Sequence, residues 1–93
     1  MANIEVRRTD HDDAYELQVT VKEERGESHH RVTLRKADYE RLSGGTVSPE
    51  TLVTESFRFL LEREPKEAIL RSFDFAIISR YFPEYEREIA KRL

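Results

Sequence analysis

AYELQVTVKEERGESHHRVTLR, residues 14 to 35, alternates between apolar and polar side chains at both of its ends. In the first part Tyr15, Leu17, Val19 and Val21 share one side, and Glu16, Gln18, Thr20 and Lys22 the other. Over residues 30 to 35, His30, Val32 and Leu34 alternate with Arg31, Thr33 and Arg35. Period two, rich in Val, Thr and Tyr, is the pattern of a half-buried strand. Between the two runs lies EERGE, where Gly26 is free to take a positive φ. A hairpin folded about Arg25 and Gly26 sets Leu17 opposite Leu34 and Val19 opposite Val32. The same register opposes Glu16 and Arg35, an attractive cross-strand pair. Upstream, Ile4 and Val6 predict a shorter strand that ends at the acidic turn TDHDD. Residues 1 to 36 thus read as a three-stranded antiparallel meander, apolar on one face and wet on the other.

A sheet with one apolar face needs a cover, and residues 37 to 93 supply it as four or five short helices. ADYERLS carries Tyr39 and Leu42 and is closed by Gly44 and Gly45. Ser48 then opens the longest helix as its N-cap, with Pro49 in the first position and Glu50 near the positive end of the dipole. Along it Leu52, Val53, Ser56, Phe57, Phe59, Leu60 and Leu61 span more than half the circumference. A helix with so wide an apolar face is covered on two sides. Pro65 stops it and begins PKEAILRS, a further short helix. Asp74 caps the next, FAIISRYF, which Pro83 breaks before a terminal helix bearing Tyr85 and Ile89. The expected architecture is α+β in a single domain, residues 1 to 93. Most of its core comes from the helical part, where Phe57, Phe59, Phe73, Phe75, Tyr81, Phe82 and Tyr85 lie.

The segments ESFRFLLEREPKEAIL, SFD and ISRYFPEYERE, within residues 55 to 88, resemble a group of small uncharacterised bacterial proteins, and the match covers roughly residues 48 to 88. Those carry a helical E-S-F-x-F-L-L-E-R-E-P segment and end near Y-F-P-E-Y. The resemblance implies a bacterial, soluble, single-domain protein and brings no activity or catalytic residues with it.

Composition narrows the functional classes. The chain has no cysteine, so disulfides, thiolate metal sites and a cysteine nucleophile are excluded. No apolar run reaches the roughly 20 residues that cross a bilayer, and the start MANIEVRRTDHDD lacks the apolar stretch of a signal peptide. A cytoplasmic location without membrane contact is the expectation. Charged residues make up 38% of the chain, yet the net charge is −3 and acids and bases are interspersed. That describes a solvated surface and not a polybasic arm.

The one metal constellation to weigh is His29 and His30 with His11 and Asp12. Adjacent histidines on a strand point to opposite faces and do not grip one ion, so no metal site and no cofactor are expected. No nucleophile elbow, phosphate-cradling glycine loop or helical histidine pair occurs, and the chain reads as a non-enzyme.

Two readings remain. The order strand, short helix, turn, longer helix over residues 30 to 64 resembles a ribbon-helix-helix unit of bacterial repressors and antitoxins. That resemblance would make Arg31, Thr33 and Arg35 the base readers and the amides after Ser48 a phosphate clamp. Against it, basic and acidic residues balance over this segment, and strand 30–35 has an intramolecular partner in residues 14 to 22. The favoured reading is a protein-interaction or self-association module, a homodimer in its simplest form. Tyr81, Phe82 and Tyr85 are the expected interface, since RYFPEY has the aromatic and Arg content of interface hot spots.

Overall fold

A computed structural model describes residues 2–93. The chain is α+β: three antiparallel strands, β1 (Asn3–Asp10), β2 (Ala14–Glu23) and β3 (Gly26–Arg35), are followed by the helices α1 (Lys36–Ser43) and α2 (Pro49–Arg63). After a 3₁₀ turn at Lys66–Ala68 come a short strand β4 (Ser72–Asp74) and the helices α3 (Ile77–Tyr81) and α4 (Tyr85–Arg92). The sheet order is β1-β2-β3-β4, and β4 joins β3 in parallel.

The apolar side of the hairpin is as the alternation requires, but its register differs. Leu17 faces Val32, Val19 faces His30 and Tyr15 faces Leu34. The tight turn is Glu24–Arg25, one residue earlier than the turn expected from the glycine, and the pairing moves by two residues. Gly26 stands after the turn at φ 121, where a residue of positive φ lets an ordinary turn rejoin the strand. A shift of two keeps every side chain on its face. It also dissolves the expected pair of Glu16 with Arg35: Glu16 instead meets Arg31, at 3.5 Å.

The helical half departs from expectation in one consequential place. PKEAILRS does not form a helix: a single 3₁₀ turn at Lys66–Ala68 gives way to extended chain and then to β4. Lys66 is buried there, its Nζ 3.0 Å from Glu23 and 2.6 Å from Glu67, which ties this turn to the end of β2. His30 holds the next stretch through Nδ1 and the Leu70 carbonyl, 2.8 Å apart. With residues 66 to 70 pinned at both points, Ser72–Asp74 is delivered to the free edge of β3. The meander of three strands therefore becomes a mixed sheet of four, completed by a strand from the helical half.

The longest helix behaves as its broad apolar face demands. Ser48 caps it by accepting from the Thr51 N–H, and Pro49 occupies the first turn. One side of α2 lies on the sheet, with Phe57 packed against His30 at 5.3 Å and Phe73 at 6.2 Å between ring centroids. Its other side meets α4, where Phe59 stands edge-on to Tyr85 at 5.2 Å. One core cluster runs through both layers, from Leu17, Val19 and Val32 to Phe57, Phe75 and Ile89. Each such side chain contributes roughly 1.5–3 kcal/mol when fully buried.

Candidate functional site

The outer face of the sheet carries the three residues that the repressor resemblance singles out. Arg31, Thr33 and Arg35 point to this face and are exposed. They are surrounded by compensating charge. The register places Glu5, Glu16, Glu27 and Asp74 on the same face as Arg7, Lys22, Arg31 and Arg35. Lys22 reaches Glu5 at 3.1 Å, Arg31 reaches Glu16 at 3.5 Å and Arg35 reaches Asp74 at 3.4 Å. Glu27 sits 3.0 Å from His29 Nε2. A face whose four acids balance its four basic residues presents no sustained positive field to a phosphate backbone. Both edges of β3 are also occupied within the chain, by β2 and by β4.

The histidines are far from equivalent. His29 is exposed beside Glu27, and His11 lies 3.7 Å from Glu16. His30 is buried on the opposite face. A carbonyl oxygen only accepts, so His30 Nδ1 carries the proton donated to Leu70, and in the neutral ring Nε2 accepts from the Ser28 hydroxyl at 2.8 Å. Burial pushes the His30 pKa down, which favours this neutral form. Among the described residues no three His, Cys, Asp or Glu side chains converge as a metal-binding group. Lys66 is held charged by its hydrogen bonds to Glu67 and Glu23, which raise its pKa. His30 and Lys66, both buried, thus serve as tethers for residues 66 to 70.

The aromatic tail splits into three environments. Tyr85 is fully buried in the chain's own core, between Phe59 and Phe75. Ser56 Oγ donates its only proton to the Leu52 carbonyl at 2.7 Å, so it accepts from the Tyr85 hydroxyl at 2.6 Å. Burial raises the Tyr85 pKa strongly. Tyr85 was expected at an interface; in this fold its ring and its hydroxyl are both engaged inside the monomer. Phe82 is half-buried, edge-on to Phe59 at 5.7 Å. Tyr81 alone is open, with 65% of its surface exposed.

Tyr81 is not isolated. Together with Leu70, the other exposed large apolar residue among the described residues, it flanks a groove of about 400 Å³. Leu60 and Glu64 from the end of α2, Ala68 and Ile69, Phe73 of β4, and Ile77, Ile78 and Phe82 around α3 complete the lining. The groove lies where the two tethers hold the 3₁₀ turn and the chain after it away from a helical path, and where β4 joins β3 between α2 and α3. The sequence pattern points to Tyr81 and Phe82 but not to Leu70, Ile77 and Phe73: Leu70 falls in PKEAILRS and Ile77 in FAIISRYF, both read as core-facing helices, and Phe73 lies in the short link between them. The volume falls within the range of ligand and peptide pockets, and a lining with Glu64 as its sole ionisable side chain besides the Tyr81 phenol favours apolar occupants.

Comparison with known proteins returned no matching family, no similar curated protein and no similar solved structure.

Proposed function

We propose that this chain is a protein-interaction module without catalytic activity, docking through the groove bounded by Leu70 and Tyr81. The observation that carries this reading is the coincidence of Leu70 and Tyr81, the two exposed large apolar side chains among the described residues, with one preformed apolar groove. Scattered exposed apolar residues need no explanation, whereas a contiguous patch beside a groove marks a docking surface. Tyr is also among the residues that dominate binding energy when covered. The ribbon-helix-helix alternative has less support. Its reader residues Arg31 and Arg35 are engaged with Glu16 and Asp74, and the strand that would pair between subunits already has two neighbours.

The test is a photo-crosslinking amino acid placed at position 81 in the expressed protein, with the same group at position 20 on the outer sheet face as control. Covalent protein adducts are expected at position 81 and not at position 20. Equal labelling at both positions, or none at position 81, would remove the docking role from the groove. A crosslinker at position 33 that captures nucleic acid would favour the repressor reading instead.

A further inference from the structure

We propose that the open edge of β4 pairs with β4 of a second copy of this chain, antiparallel and centred on Phe73, so that two grooves merge across a twofold axis. This rests on the docking reading above and adds the identity of the occupant and the way it is held.

The hydrogen-bond pattern of β4 defines what the edge offers. Arg31 N–H donates to the Arg71 carbonyl at 2.7 Å, and Phe75 N–H donates to the Thr33 carbonyl at 2.8 Å. With Arg31 opposite Ser72 and Thr33 opposite Asp74, the parallel ladder uses both backbone groups of Phe73. The N–H and C=O of Ser72 and Asp74 consequently point away from β3. Two donors and two acceptors, alternating, are what an added strand requires.

The same edge is its own complement. Centred on Phe73, an antiparallel second copy puts its Asp74 opposite Ser72 and its Ser72 opposite Asp74, which satisfies all four outward groups in two doubly bonded pairs. A hydroxyl then meets a carboxylate twice, and no like charges stand opposite each other. The Asp74 carboxylate already has Arg35 of its own chain at 3.4 Å, so pairing leaves no uncompensated charge. Phe73 meets Phe73 of the second copy on the inner face, where side chains of a non-hydrogen-bonded pair approach most closely. That ring enters the groove mouth beside Tyr81 and Leu70.

The opposite edge of the sheet shows what a guarded strand looks like. Along β1, Glu5, Arg7, Arg8 and Asp10 carry charge, and Arg8 lies on the inner side in sequence alternation with Ile4 and Val6. Inward charge is a standard obstacle to edge pairing. β4 has no Lys or Pro, and its inner residue is Phe73. A strand of three residues limits the contact to the small, transient class, about 1,200 Å² or less.

Sedimentation equilibrium of the full chain and a pairing test with single cysteines decide the matter. The chain has no cysteine of its own. Opposed residues of a hydrogen-bonded pair have Cα atoms about 5.5 Å apart, which a disulfide can span. Identical residues across this axis are offset to roughly 8–9 Å, which it cannot. Ser72→Cys mixed with Asp74→Cys should therefore form a mixed disulfide dimer on mild oxidation, while either variant alone should not. Ser72→Pro removes an outward donor without touching the ladder to β3, and Tyr81→Asp charges the groove rim. Each should weaken the dimer about tenfold or more, which is about 1.4 kcal/mol. A dimer in which like cysteines join, or in which the mixed pair does not, overturns the antiparallel register. A wild type that remains monomeric at millimolar concentration overturns the pairing altogether, and crosslinking at position 81 then separately decides whether another protein docks there.

Discussion

Replacing Ser56 or Tyr85 separately and then together measures whether the terminal helix is fastened to α2 as the structure shows. Tyr85→Phe deletes the donor but leaves Ser56 Oγ still bonded to the Leu52 carbonyl, 2.7 Å away. The loss is that of one net hydrogen bond, about 0.5–1.5 kcal/mol. Ser56→Ala deletes the acceptor and leaves the Tyr85 hydroxyl in a fully buried position without a partner. That costs about 1–3 kcal/mol, offset by a few tenths from the better helix propensity of Ala. In the double variant nothing is left unpaired at this point, so its cost should fall short of the sum by about 1 kcal/mol. Urea unfolding followed by far-ultraviolet circular dichroism gives all three values. A second readout is alkaline. The folded pKa of Tyr85 lies above the ordinary 10.0 because of burial, so its contribution is intact below that value and is lost as pH rises beyond it. Tyr85→Phe should abolish that part of the alkaline loss. Additive costs, or a Tyr85→Phe effect larger than that of Ser56→Ala, would refute the assigned donor direction. An effect of Tyr85→Phe that depends on protein concentration would return Tyr85 to an interface.

The ordinary value for His30 is 6.5 and its folded pKa lies lower, through burial. Its contribution is therefore present above pH 6.5 and lost as pH falls below it. Urea midpoints should fall over that range in the wild type and less so in His30→Gln. Glu62, Glu84 and Glu86 have folded pKa values below the ordinary 4.5, with the Arg92 hydrogen bond the largest cause for Glu62, its own backbone for Glu84, and Arg41 for Glu86. A further acid loss should begin below pH 4.5, and Arg41→Ala should reduce it. Labelled duplex DNA at low salt should bind no more than weakly, with Arg31→Ala and Arg35→Ala indistinguishable from wild type. Submicromolar binding abolished by either variant would restore the repressor reading. Leu70→Asp and Tyr81→Asp, both at exposed positions, should change unfolding free energy by no more than about 0.5 kcal/mol, and a large loss would show that these side chains belong to the core.

Much of this architecture is written in period two and in helix punctuation. Strict alternation through Leu17, Val19 and Val21 survives a two-residue shift of register unchanged, because only the parity of the pairing decides which face is buried. Ser48, Pro49 and Pro65 bracket α2 as they stand in the sequence. β4 was not legible for a physical reason: Ser72–Asp74 is too short to display a period, and it is a strand only because β3 offers an edge. The position of that edge depends on long-range tethers, from His30 to Leu70 and from Lys66 to Glu23, which no local pattern announces. The groove inherits the same difficulty. Tyr81 was identifiable as an aromatic at a broken helix, whereas Leu70 and Phe73 become its neighbours only through β4. Tyr85 looked equivalent to Tyr81 in RYFPEY, and the turn at Pro83 sends the two rings in different directions.

The most direct measurement of where this protein makes contact is a dilution series of amide resonances from the isotopically labelled chain, from millimolar to micromolar. Shift changes should concentrate at Leu70, Ser72, Phe73, Asp74, Ile77 and Tyr81, while the amides of β1 and the outward residues of β2 stay fixed. Changes centred on β1 or on the outer sheet face, or no change anywhere over that range, would contradict self-association through the groove and the β4 edge.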